Sequence, residues 1–177
     1  MKRQIAILVF TAALLVAAEP LVVTKESAGK FYRDFKRLTE KPRFIDPQIV
    51  TLCGPATLSK NPLAEEHAKR ARTGPHTRTS VHIYANPSAA TAIAADAPEF
   101  PEGTVIVKEK LGGNLEVADI GGMIKRAKGY DPKNGDWEFF FFTPGGEFTT
   151  GKLANCIDCH SGGKRDHVFN VWNLGAK

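Results

Sequence analysis

Hydrophobic and polar residues alternate over short runs of this chain, and glycine or proline ends most runs before they lengthen. Residues 79–84 (TSVHIY) and 104–111 (TVIVKEKL) read as strands. On a period of two, Thr104, Ile106, Lys108 and Lys110 share one face of the second strand, and Val105, Val107, Glu109 and Leu111 share the other. Further strand candidates are residues 115–117, 123–127 and 137–143. They are separated by Gly112-Gly113, Gly121-Gly122, Asp131-Pro132 with Asn134-Gly135, and Pro144-Gly145-Gly146. The WEFFFF run puts Trp137, Phe139 and Phe141 on one side and Glu138, Phe140 and Phe142 on the other, so a strand there must be covered on both faces. Helical spacing is rarer. Phe31, Phe35 and Leu38 recur at i, i+4 and i+7 and predict an amphipathic helix over residues 26–38, stopped by Pro42 and Pro47. Asn86-Pro87 is a cap and first-turn pair for a short alanine-rich helix ending near Ala95. Residues 47–75 read as loop, with a helical turn or two around 64–72. Connections this short suit antiparallel pairing, so the class is α+β: a mostly antiparallel β-sheet domain with a few short helices.

The N-terminus changes how the charge is interpreted. Lys2 and Arg3 precede an uncharged run of thirteen residues from Ile5 to Ala17, and Val16-Ala17-Ala18 offers small residues before Glu19. This is the pattern of a secretory signal peptide over residues 1–18, with an uncleaved anchor as the alternative. The run is short of the ~20 residues that span a bilayer, so no stable membrane span is expected. Residues 19–78 then form an N-terminal helical and loop segment, and residues 79–177 a domain compact with it. Of the 177 residues, 24 are Lys or Arg and 19 are Asp or Glu, a net of +5. Cleavage after Ala18 leaves 22 basic residues and a net of +3, too balanced to suggest a nucleic-acid partner. Residues 25–43 hold seven basic and three acidic side chains, which suits a solvated face or a docking patch for an acidic redox partner. A hydrophobic share of 42% excludes a disordered chain.

The chemistry concentrates at Cys156-Ile157-Asp158-Cys159-His160. Two thiols three positions apart can form thioethers to the two vinyl groups of a haem while the adjoining imidazole reaches its iron. A CxxC alone also suits a redox dithiol or half a zinc site, but the chain has only three cysteines and no second pair. The cofactor expected is therefore one covalently attached haem c, with Cys156 and Cys159 as attachment points and His160 as the iron ligand. The 17 residues after His160 contain no methionine, so the His/Met pair of electron-transfer cytochromes is not expected. Met123 reads as sheet core, and His67, His76, His82 and His167 as surface or core histidines or, alternatively, a second ligand. One face of the iron is thus expected to be open, walled by the phenylalanines of 137–142. Cys53 reads as a buried thiol. Lys164 and Arg165 read as a solvated charge cluster or as partners for a haem propionate.

Three stretches, FPEGTVIVKEKL at 100–111, NGDWEFFFF at 134–142 and GKLANCIDCHSGGKRDHVF at 151–169, resemble the cytochrome P-460 family, which includes the cytochromes c-prime-beta. The resemblance covers residues 80–169. It implies an antiparallel β-sheet domain, often a homodimer, enclosing a five-coordinate haem c in the periplasm. Members oxidise hydroxylamine or bind nitric oxide, and pass electrons to a redox partner protein. In the oxidising members a lysine is joined to the porphyrin, which the GTVIVK motif matches to Lys108, and a carboxylate takes protons from the substrate. Candidates for that carboxylate are Glu116, Asp119 and Glu138. In the c-prime-beta members phenylalanines cap the open face and the lysine link is absent. The resemblance thus implies a hydroxylamine-oxidising enzyme, with a gas-binding cytochrome or simple electron transfer as the alternatives.

Overall fold

The computed structural model describes residues 20–44, 80–112 and 115–169. The proposed signal peptide, the loop of residues 47–75, Cys53, His67 and His76 lie outside the described residues.

Seven strands form one antiparallel sheet. In chain order they are β1 (Lys36–Arg37), β2 (Arg43–Phe44), β3 (Ser80–Ala85), β4 (Val105–Leu111), β5 (Val117–Lys125), β6 (Trp137–Phe142) and β7 (Phe148–Gly151). Strands β3 to β7 follow one another as a meander, and the short β1 and β2 both pair with the outer side of β3. Among the described residues three short α-helices, α1 (Lys25–Ala28), α2 (Pro87–Ala94) and α3 (Ala154–His160), and one 3-10 turn at Pro132–Asn134 complete the fold. The α+β class expected from the turn-rich pattern is what the chain adopts.

The two faces of the sheet are covered differently. On the first, Val81, Ile83, Ala85, Ile106, Met123, Trp137 and Phe139 form a core with Ala89 and Ala92 of α2, and Leu153, Cys156 and Ile157 pack against it from α3. On the second, Tyr84, Val105, Val107, Ile120, Ile124 and Phe140 pack against Val23, Ala28 and Tyr32, with Phe31 and Phe35 at the margin. Residues 20–44 are therefore a strap across the back of the sheet. The alternation read from WEFFFF holds: Trp137 and Phe139 enter the first core and Phe140 the second.

Two expectations are corrected. The helix predicted over 26–38 is only the single turn of α1, held by a capping box in which Thr24 and Ser27 bond each other's backbone N–H groups. Gly29 ends it, tight turns follow, and Lys36–Arg37 pairs with β3. Phe31 and Phe35 share the strap core, but Leu38, whose N–H donates to the Ile83 carbonyl, packs against the opposite core. Strand pairing has overridden the helical spacing. Second, Gly121-Gly122 is not a turn between two strands; it lies in the middle of β5, joining what read as residues 115–117 and 123–127. Gly122 is needed there because a Cβ at that position would come within 2.3 Å of the Phe140 ring. A missing side chain in mid-strand and a turn leave the same sequence mark.

The start of α2 is as read. Asn86 Oδ1 accepts the N–H groups of both Ala89 and Val105 at 3.0 Å, and its Nδ2 donates to the Gly103 carbonyl at 2.8 Å. One side chain thus caps the helix and ties it to the start of β4.

The strap is fastened by Glu109, which is only 2% exposed. Its carboxylate accepts the Tyr32 hydroxyl at 2.6 Å and the Tyr84 hydroxyl at 2.9 Å, and it pairs with Arg33 at 3.0 Å. Burial first, then the hydrogen bond to Glu109, raises the pKa of Tyr32 and Tyr84 above the ordinary phenol range. Burial likewise raises that of Tyr130. A raised folded-state pKa contributes stability that is fully present below the unfolded value, about 10, and is lost as pH rises through the folded one. The expected result is that phenolate absorbance stays low past pH ~10 in the folded protein and grows as the fold opens at higher pH. Glu109→Ala, which takes the acceptor from two buried phenols, should lower the unfolding free energy by about 2–4 kcal/mol in urea titrations.

Candidate functional site

Helix α3 carries the CxxCH motif on one side, because Cys159 and His160 follow Cys156 at i+3 and i+4. No side chain caps its N-terminus; the N–H groups of Cys156 and Ile157 bond back to the Leu153 carbonyl, and Ser161-Gly162-Gly163 ends it. The helix is located instead by Leu153, Cys156 and Ile157, which pack against the first core, and by His160 against Phe139.

His160 is oriented by three contacts. Its ring lies 5.1 Å from that of Phe139 and 5.6 Å from that of Phe169, centroid to centroid. Its Nδ1 is 2.8 Å from the His167 carbonyl oxygen. A carbonyl can only accept, so Nδ1 bears a proton and, in the neutral ring, Nε2 carries the lone pair. That tautomer and that backbone bond are those of an imidazole set to ligate a metal through Nε2.

The sheet surface beneath is arranged in rows. Lys108 pairs with Gly121, and Gly121 pairs with Phe141. In the neighbouring row Lys110 pairs with Asp119; its Nζ lies 3.7 Å from the Asp119 carboxylate and 5.6 Å from the centre of the Phe141 ring. On the other side Ile106 pairs with Met123, and Met123 with Phe139. All these positions belong to the face on which α3 packs. Among the described residues, a Cβ at Gly121 would meet nothing nearer than the Phe140 carbonyl oxygen at 3.8 Å, so no described side chain fills the space over Gly121 between Lys108 and Phe141. A face that carries Met123, Phe139 and Phe141, with no side chain at Gly121, beside a histidine whose Nδ1 is bonded to a carbonyl, fits a flat cofactor.

The sequence profile of the family described as Cytochrome P460 matches residues 63–170, more than half of the chain. The chain belongs to the cytochrome P460 family. No curated protein matches it. Membership makes the chain a haem-binding cytochrome, and the residues of this face fit that group. Among the described residues no helix is long and apolar enough to cross a membrane.

The remaining candidates separate clearly. Asp119 shares the face with Lys108, whereas Glu116 is exposed in the turn before β5, where its carbonyl accepts the Gly112 N–H. Glu138 lies on the opposite face, bonded to Arg126 at 2.6 Å and Thr150 at 2.7 Å. Burial raises its pKa, but the Arg126 and Thr150 bonds outweigh this and the net shift is downward. Met123 is core, as expected. His82 lies on the strap face with Nδ1 3.0 Å from the Thr39 hydroxyl, and its pKa is lowered by burial and by Arg37. Arg165 pairs with Asp96 and stacks over Phe100, and Lys164 is exposed. Sequence reasoning placed Lys110 on the face of Lys108 by strand parity but gave it no role, and it missed Lys125 and Asp166, since nothing in the sequence links those two across 41 residues.

Gly121 supplies a direct check on the face. Gly121→Val adds an isopropyl group, three carbons, where a Cβ meets no described atom nearer than 3.8 Å, and valine favours the strand, so the circular dichroism and melting of the variant should match the parent. Haem content per polypeptide should fall severalfold; full loading of Gly121→Val would move the cofactor off this surface.

Proposed function

We propose that this chain is an exported, periplasmic c-type cytochrome that oxidises hydroxylamine to nitrogen oxides and passes the electrons to a redox partner protein. In this reading Cys156 and Cys159 hold the haem covalently, His160 Nε2 ligates its iron, and Lys108 is joined to the porphyrin. The iron supplies a redox-active coordination site for a small nitrogen ligand. Asp119 accepts protons from the bound substrate, Lys110 holds the Asp119 carboxylate in place, and Phe139 and Phe141 exclude water.

The observation that carries the reading is the shared face: Lys108 and Asp119 lie on the side of the sheet where His160 packs, and Gly121, without a side chain, sits next to both. Asp119 is favoured over Glu116 because only Asp119 pairs across the strands within that face. The phenylalanines of the same face support a second reading, a nitric-oxide-binding cytochrome of the c-prime-beta kind without enzymatic turnover. Export rests on the signal-like pattern of residues 1–18.

Two measurements test the proposal. The haem of the mature protein should stay with the polypeptide through denaturation and acid-acetone extraction, and replacing Cys156 and Cys159 by serine should release it; a mature mass equal to the bare polypeptide contradicts attachment. Peptide mapping should recover Lys108 on the haem-bearing fragment with Cys156 and Cys159, and Lys108→Arg should abolish hydroxylamine turnover while leaving haem attached. An unmodified Lys108 peptide from fully matured protein transfers the assignment to gas binding.

A further inference from the structure

The segment after α3 turns back on itself through Arg165-Asp166-His167-Val168. The Val168 N–H bonds the Arg165 carbonyl, and both central residues are left-handed, Asp166 at φ 48° and His167 at φ 63°. Turns of this kind favour Asn-Gly; a non-glycine residue in this region costs on the order of 1 kcal/mol or more. Asp and His enter this region more readily than most side chains, but two such residues in succession still carry a cost, so the surroundings must hold the conformation.

The surroundings are specific. The Asp166 carboxylate accepts both oxygens' worth of bonding from Lys125 Nζ, at 2.6 and 2.8 Å, and accepts the Phe100 N–H at 2.9 Å. The Asp166 carbonyl accepts the Trp137 indole N–H at 2.8 Å. Lys125 itself lies 5.1 Å from the centre of the Trp137 ring. Two glycines make room: a Cβ at Gly135 would lie 2.7 Å from Asp166 Oδ1, and a Cβ at Gly163 would lie 2.5 Å from the His167 carbonyl carbon. What this turn delivers is the His167 carbonyl, at 2.8 Å from His160 Nδ1.

We propose that Lys125 and Asp166 are positioning residues for the axial histidine: by fixing the left-handed turn at 166–167 they aim the His167 carbonyl at His160 Nδ1 and so set the orientation and donor strength of His160 Nε2. The inference rests on the reading of His160 as the iron ligand. An Nδ1–H bond to a carbonyl raises electron density at Nε2, strengthens its bond to the metal and favours the ferric state. Loosening the turn therefore weakens the iron–histidine bond and raises the reduction potential, without any change at a residue that touches the haem iron.

The test uses the holoprotein with its haem attached, and reads the ferrous iron–histidine stretching band by resonance Raman together with the reduction potential. Asp166→Ala and Lys125→Met should lower the band frequency and raise the potential. Asp166→Asn should stay close to the parent, because asparagine tolerates the left-handed region and its Oδ1 can still accept the Phe100 N–H. Gly163→Ala pushes the same carbonyl from the other side and should reproduce the shift with Lys125 and Asp166 unchanged; it carries the test if Asp166→Ala does not fold. Unshifted band and potential in folded, haem-loaded Lys125→Met and Gly163→Ala overturn the inference. His160→Ala separates the two readings: if the band survives in it, the ligand assignment has failed, whereas a band lost there and unmoved in the other variants defeats the positioning role alone.

Discussion

Burial on both faces is the constraint from which the rest of this structure follows. The β6 sequence WEFFFF leaves neither side of the sheet fit for water, so one side takes the strap of residues 20–44 and the other takes α2 and α3. Once both sides are occupied, register is fixed, because a slip of one residue moves every side chain to the opposite face. In β4 such a slip would carry Glu109 from its two tyrosines and Arg33 to the α3 face, and Lys108 and Lys110 to the strap face. Each polar residue of β4 thus reinforces the pairing that the apolar residues demand.

The polar groups inside this sheet are therefore sorted by function. Glu109 fastens the strap, far in sequence from Tyr32 but joined to it by a short bond. Lys108, Lys110 and Asp119 occupy the other face, where Met123, Phe139 and Phe141 make the surface apolar. A single strand with alternating duties thus fastens the strap on one side and sets two lysines on the α3 face on the other.

Much of this was legible locally. The period of two fixed the faces of β4 and β6, the Asn86-Pro87 pair marked the start of α2, and the CxxCH motif falls on the single helix α3. The errors came where a local signal has two physical causes. Phe31, Phe35 and Leu38 have helical spacing, yet Leu38 answers to a strand partner; Gly121 and Gly122 look like a turn, yet Gly122 clears the Phe140 ring and Gly121 sits in mid-strand between Lys108 and Phe141. On the α3 face, Lys108 was named from the motif, and Asp119 only as one of three candidate carboxylates alongside Glu116 and Glu138. The Lys125–Asp166 contact could not be named, since it depends on how the segment after α3 folds back over the end of the sheet.

That returning segment is held by two ion pairs of opposite character. Lys125 and Asp166 are 14% and 6% exposed, whereas Asp96, the partner of Arg165, is 89% exposed. Mobile ions screen an exposed pair readily and a buried one little. Changes in ionic strength around the protein will thus loosen the rim of the segment at Arg165 while the contact next to it, which governs the backbone facing His160, is insulated. The environment of His160 is in this way buffered against fluctuations in salt that the surface of the same short loop must follow.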